Sequence, residues 1–314
     1  MYAPAPEARW RGEGVKLRSL PTWLVLCLAC APVGFDPVAQ DPPFDPARPA
    51  ATTEVVLESA GARMFGVIYE ASGAGPHPTA IVLHGFPGNE RNLDLAQAIR
   101  RAGWNAVFFH YRGAWGSEGS FSFTNVVADV AAVTKAFANP AFATVYRGDP
   151  SRIALVGHSM GGFAALLSAS ERPEVDCAAS LAGANLGLWN EALATPDGTA
   201  RMVRALDGWR GPIRGATGQS LVADVRRNAT RFDLRRHAAA LARKPILLVA
   251  GSRDDVTPPA LHHTPLVEAI GARPEAHLTS FVLDADHAFA DRRVELARLV
   301  IGWLERDCRP SVTH

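Results

Sequence analysis

The spacing of apolar and polar positions changes character twice along the 314 residues. Thr53 to Glu58 and Met64 to Tyr69 have strand-like patterns, and the short break between them predicts a strand pair. After the turn-rich stretch from Ser72 to Pro78, short and mostly unbroken apolar runs take over: Ala80 to Leu83, Ala106 to Phe109, Ile153 to Val156, Ala178 to Leu181, Ile246 to Ala250 and Ser280 to Leu283. Such runs suit strands buried on both faces. Helically spaced segments separate them. Leu95 and Ile99 stand at i, i+4 with Gly103 just beyond, and Leu296, Leu299, Val300, Trp303 and Leu304 form one stripe of a final helix over about Arg292 to Arg306. The alternation predicts an α/β fold, a mostly parallel central sheet with helices on both faces.

One interval breaks the rhythm. About sixty residues separate Leu181 from Ile246, far more than a crossover needs. The clusters Met202, Val203, Leu206 and Trp209, then Leu221, Val222 and Val225, predict short amphipathic helices, read as a cap inserted at about 184–243. Such a cap would roof a site at the sheet edge; the alternative is a surface excursion that touches no substrate.

At the N-terminus, Lys16 and Arg18 precede the apolar run Leu20 to Ala31, the pattern of a secretory signal peptide and too short for a membrane span. Residues 1–39 are read as signal peptide and leader, 40–51 as a Pro- and Asp-rich linker, 52–308 as the folded domain and 309–314 as a tail. This predicts a secreted or periplasmic protein, lipid-anchored if Cys30 is the acceptor, and cytoplasmic if the apolar run is not a leader. Four cysteines are too few for a disulfide scaffold. Cys177 reads as a core residue, able to pair with Cys308 only if the fold brings them together.

Composition changes the picture little. A hydrophobic content of 48% supplies a large core. A formal net charge of +1 and the lack of a basic run interleaved with aromatics exclude nucleic acid as the expected partner. Arginines gather between Arg201 and Arg243, which raises anionic substrates as an alternative to a solvated surface. Asn228-Ala229-Thr230 fits a glycosylation sequon and is read as chance.

The chemistry concentrates in Gly157-His158-Ser159-Met160-Gly161, which follows the apolar run Ile153 to Val156 and precedes a helix. A sharp strand-to-helix turn leaves the serine hydroxyl exposed at the sheet's carboxyl edge, and small glycines let the helix pack close. A serine is a poor nucleophile without a base. Among the ten histidines, His287 is best placed, after the last strand and before the final helix. His262 and His263 read as exposed helix-start residues, His110 ends a strand, and His158 faces away from the nucleophile's role. A carboxylate must orient the imidazole. Asp254, directly after the strand Pro245 to Ala250, is favoured by its spacing from Gly251, with Asp255 the neighbouring alternative. For the oxyanion, the backbone N–H groups of Met160 and of Phe86, in His84-Gly85-Phe86-Pro87-Gly88, are the expected donors, since Pro87 has none. His84 is expected to brace that loop. No histidine set has metal spacing, and no cofactor or metal is expected.

Together the His84 loop, the Gly157 to Gly161 elbow, the Asp254 loop and His287 resemble the α/β-hydrolases, over about Thr53 to Arg306. The stretch from His84 through Gly119, including His110-Tyr111-Arg112-Gly113, is similar to small bacterial hydrolases of the prolyl-oligopeptidase-like and dienelactone-hydrolase-like branches. The chain departs from both: it has no room for the oligopeptidase propeller, and it carries Ser159 where dienelactone hydrolases carry cysteine. The resemblance implies a serine hydrolase acting on a small-molecule carboxylic ester, with an aminopeptidase or amidase, or a non-catalytic binding protein, as the other readings.

Overall fold

The computed structural model describes residues 35–308. Most of the expected leader, with Cys27 and Cys30, and the expected tail lie outside the described residues. An eight-stranded sheet runs in the order β1-β2-β4-β3-β5-β6-β7-β8. Strands β1 (Ala51–Ser59) and β2 (Ala62–Glu70) form an antiparallel hairpin. Its two-residue turn, Ala60-Gly61, has positive φ at both positions, the geometry that matches strand twist. Strand β2 pairs antiparallel with β4 (Asn105–Phe109), and every later pairing is parallel. The remaining strands are β3 (His77–Leu83), β5 (Gly148–His158), β6 (Cys177–Leu181), β7 (Ile246–Gly251) and β8 (Leu278–Leu283). All six late apolar runs are therefore strands.

Helices of eight or more residues are numbered α1 (Leu93–Arg101), α2 (Phe123–Phe137), α3 (Met160–Glu171), α4 (Pro196–Trp209), α5 (Gly218–Phe232), α6 (Thr264–Gly271) and α7 (Arg293–Asp307). Alternate strand residues feed two cores. Ile81, Leu83, Val107, Phe109 and Leu155 pack with α2 and α3 on one face, and Val82, Phe108 and Val156 pack with Leu95, Ile99, Val300 and Trp303 of α1 and α7 on the other. From β3 the chain crosses to β4 on one side and then to β5 on the other. This makes the carboxyl end of β3 a switch point, where diverging loops open a crevice for ligands.

Helices α4 and α5 lie between β6 and β7, with Thr195 and Thr217 capping their first turns and Ser220 completing a capping box on α5. Buried Asp224 of α5 ties this segment to α2 by accepting from Thr124 N at 2.9 Å and Thr124 Oγ1 at 2.7 Å. The Asn228 amide donates to Asp224 O, Asp224 Oδ1 and Thr124 Oγ1, so the nitrogen a glycan would need is already engaged.

One expectation changes. The end of the stretch read as leader and the linker after it are docked: Arg101 Nε donates to Pro37 O at 2.6 Å, Arg298 pairs with Asp36 at 3.0 Å, and Arg147 donates to Pro49 O in the linker. Cys177 is buried in the core, and the fold does bring it to Cys308, just past α7, with which it forms a disulfide at a Cα–Cα distance of 5.8 Å. Among the described residues no single helix is long and apolar enough to cross a membrane.

Candidate active site

At the end of β5 the chain turns into α3 through Ser159, held at φ 56° and ψ −119°. A non-glycine residue there is strained by roughly 1–3 kcal/mol, and the surroundings must hold it. They do so by backbone bonds: Ser159 N donates to Leu181 O at 2.9 Å, and Ser159 O accepts from Phe163 N and Ala184 N, both at 3.1 Å. The glycines permit the closeness. A Cβ on Gly157 would fall on the Gly161 carbonyl, and one on Gly161 would fall on the Leu83 carbonyl.

Asp254 follows β7 and is buried. Its Oδ1 accepts from Val256 N and Thr257 N, both at 2.8 Å, and its Oδ2 accepts from Thr257 Oγ1 at 2.6 Å and His287 Nδ1 at 2.8 Å. Burial alone would raise this carboxyl, but the hydrogen bonds from His287 and Thr257 outweigh it and hold the pKa down to about 2. Asp255 is exposed and makes no such bond, so the imidazole is oriented by the first aspartate of the pair. With Nδ1–H given to the carboxylate, Nε2 of His287 is the nitrogen left to accept a proton.

Ser159 and His287 line one cavity of about 250 Å³ together with Phe86 and Met160. Among the described residues the Ser159 hydroxyl makes no hydrogen bond, to His287 or to any other group. Met160 N–H is the first of α3, one of the donors that a helix leaves unpaired. Opposite it, the loop after β3 is braced as expected of His84. That ring is fully buried, donates from Nδ1 to Gly85 O at 2.7 Å, and packs 4.5 Å from the Tyr111 ring, whose hydroxyl donates to His84 O. Since Gly85 O can only accept, Nδ1 carries the proton. Burial lowers the His84 pKa to about 3 and keeps the ring neutral. Trp115 Nε1 donates to Pro87 O at 2.8 Å and steadies the far side of the loop.

The rest of the cavity is mostly apolar, with Asn89 and Thr257 its further polar side chains. Phe123, Leu186, Trp189 and Leu206 form its inner wall, and the half-exposed Trp209 and Val256 stand at its rim. Leu206 and Trp209 belong to α4, and Leu186 and Trp189 to the turns before it, so the segment between β6 and β7 contributes to the site. Among the described residues no Asp, Glu, Lys or Arg lines it. Several arginines from 201 to 243 are paired away from it, Arg210 with Asp207, Arg231 with Glu171 and Arg235 with Asp233.

A model of the alpha/beta hydrolase family matches residues 80–299, most of the chain. The chain belongs to the alpha/beta hydrolase family. Uncharacterized proteins from two strains of Mycobacterium tuberculosis are each 30% identical to this family member over 126 residues, 40% of its chain and 43% of theirs. The aligned part is thus under half of those relatives. Among solved structures, Est1E from Butyrivibrio proteoclasticus superposes with a TM-score of 0.60 at 18% identity, covering 80% of this chain and 97% of Est1E. A Pyrococcus furiosus esterase gives 0.58 at 17% identity, with 83% and 92% covered. The 2,6-dihydroxy-pseudo-oxynicotine hydrolase gives 0.58 at 22% identity, with 82% and 69% covered. These likenesses carry the fold.

One residue of the site was not singled out by sequence, and two readings of histidines are corrected. Thr257 bridges Asp254 and Ala182 O, and a threonine three positions after an aspartate is the only signal the chain offers for it. His158, expected to face away, instead points its Nε2 at the main-chain oxygen of His287, 2.8 Å away. His262, expected to be exposed, is buried, and its Nδ1 accepts from Asn185 N at 3.0 Å.

Proposed function

We propose that this hydrolase cleaves small, uncharged carboxylic esters through an acyl-enzyme on Ser159. The observation that carries the reading is the Asp254–His287 hydrogen bond, which fixes an imidazole on the wall of the cavity that the strained Ser159 also lines. In the reaction, Oγ attacks the ester carbonyl carbon while its proton passes to His287 Nε2. The N–H groups of Met160 and Phe86 receive the oxyanion. The proton then goes to the departing alkoxide as the C–O bond breaks. Water repeats the sequence, releasing the acid and restoring Ser159. Asp254 stabilises the imidazolium formed in between.

The mostly apolar lining without charged side chains among the described residues supports an ester over an aminopeptidase substrate or an anionic one. An aminopeptidase must hold a substrate ammonium, and among the described residues the cavity offers no carboxylate; an anionic substrate would need a cation there, and among the same residues it offers none. The volume lies below the roughly 300–1,000 Å³ common for drug-sized ligands, which supports a small acyl group. The Cys177–Cys308 disulfide supports residence in an oxidising compartment, in keeping with a secreted or periplasmic protein.

The test is hydrolysis of short p-nitrophenyl esters and labelling by a fluorophosphonate, with Ser159→Ala as control. The expected result is turnover and labelling that both vanish in the variant. Folded protein that neither turns over esters nor takes the label would instead support a binding protein on this fold.

A further inference from the structure

We propose that His158 is a positioning residue for His287, setting through one hydrogen bond where the base stands beside the nucleophile. The inference rests on the proposed roles of Ser159 and His287. His158 is the last residue of β5, immediately before Ser159, and its ring is buried. Its Nε2 lies 2.8 Å from His287 O, and the two imidazoles are 4.8 Å apart between centroids, tilted by 51°. A carbonyl oxygen only accepts, so Nε2 carries the proton and Nδ1 presents a lone pair.

That lone pair is buried with no hydrogen-bond partner. An orphaned acceptor is unfavourable, and a phenyl ring would fill the same space without one. What a phenyl ring lacks is the N–H. The loop that needs it runs between β8 and α7, where Phe289 sits at positive φ and side chains substitute for regular pairing. Arg253 holds Asp284 O at one end, and Arg293 holds Ala288 O at the other. Residue 287 itself is held from two sides: Asp254 takes the side chain and His158 takes the main chain. Because His158 is joined covalently to Ser159, its bond ties the position of the base to the residue whose proton that base must take.

Burial, and then the neighbouring His287, lower the His158 pKa to about 4, so the ring is neutral at pH 7. An imidazolium formed on His287 therefore meets no second cation at 4.8 Å.

The experiment compares His158→Phe, which keeps a planar ring, with His158→Gln, whose amide nitrogen can take the place of Nε2. Readouts are kcat and KM on a p-nitrophenyl ester, the pH profile of kcat/KM, the thermal midpoint, and the downfield proton resonance of His287 Nδ1–H, assigned by its loss in Asp254→Asn. His158→Phe is expected to lower kcat about 10- to 100-fold, the scale of a misplacement near 1 Å. KM should stay within about twofold, the pH profile should move, and the resonance should shift or broaden. His158→Gln should recover most of the loss. Wild-type kcat and an unmoved resonance in the Phe variant would overturn the proposal, as would a Gln variant as impaired as Phe at an equal midpoint. If Phe does not fold, Asn takes its place, being too short to reach His287 O, and the same contrast with Gln decides. Should the wild-type protein hydrolyse no ester and take no fluorophosphonate, the proposed function fails on that result alone, and the resonance in the variants still decides the role of His158.

Discussion

Gly85 and Ser159 approach so closely that a Cβ on the glycine would lie 2.9 Å from the Cβ of the serine. The loop after β3 is thus pressed against the elbow, which sets the spacing between Phe86 N–H and the serine oxygen. Gly85→Ala should push the two apart and lower kcat for a short ester about 100-fold, the cost of a displacement near 1 Å. Circular dichroism should show a retained fold. Unchanged kcat in the alanine variant would mean that Phe86 N–H plays no part.

Asp254→Asn should leave the protein folded while lowering kcat by about 10⁴, because an amide no longer fixes the tautomer that leaves Nε2 unprotonated. Asp255→Asn, changing an exposed side chain, should stay within about twofold. The paired kinetics separate the two aspartates, and a larger loss at 255 would reverse the assignment.

Much of this was legible in the chain because the relevant signals are local. The strands announce themselves as apolar runs, and Gly161 and Gly162 of the elbow need to be small for the close packing against Leu83 and Ser180. The positions of Asp254 and His287 follow from the strands they terminate. What was not legible depends on contacts distant in sequence. His158 bonds a backbone oxygen 129 residues away, and no residue type marks a carbonyl acceptor. His262 looked exposed because its helix is short and its burial comes from Asn185, in another loop. The docking of residues 36–49 depends on arginines of α1 and α7 and on Arg147, which composition alone cannot place.

Leu206 is buried on the inner wall of the cavity, so its size should limit the acyl chain. Leu206→Trp is expected to depress kcat/KM for hexanoate about tenfold or more while sparing acetate, and Leu206→Ala to move the optimum toward longer acids. A series of p-nitrophenyl esters reads this directly. Identical profiles in all three proteins would put the acyl group elsewhere.

The Cys177–Cys308 bond closes a loop spanning 131 positions. In the chain-entropy account, a loop of this length is worth about 4–5 kcal/mol. Reduction, or Cys308→Ser, should lower the urea midpoint accordingly. Cys177 begins β6, at the opposite end of the strand from the elbow, so kcat at 25 °C should be unchanged; a matching fall in kcat would couple the bond to the site.

Stability should fall with acid well before the carboxylates titrate. Burial lowers His84 to about 3 and His158 to about 4, against about 6.5 in an unfolded chain. Between those values the unfolded state binds more protons. The stabilisation is therefore complete above pH 6.5 and is lost as pH falls toward 4, by up to about 1.4 kcal/mol per pH unit for each ring. Asp254, held near 2, adds its own loss only below the ordinary carboxylate range. Urea midpoints from pH 7.5 to 5 should decline, and His158→Gln should flatten the slope. A level profile would contradict the burial of these rings.

The order of strands in the sheet carries a temporal consequence. Residues 86, 159, 254 and 287 gather at one carboxyl edge, yet a ribosome delivers them in sequence, and β8 is the last strand to be made. A nascent chain would hold its nucleophile for more than a hundred residues before its base emerged. On the proposed reading such a chain is inert throughout synthesis, and hydrolysis begins only when the outermost strand has docked.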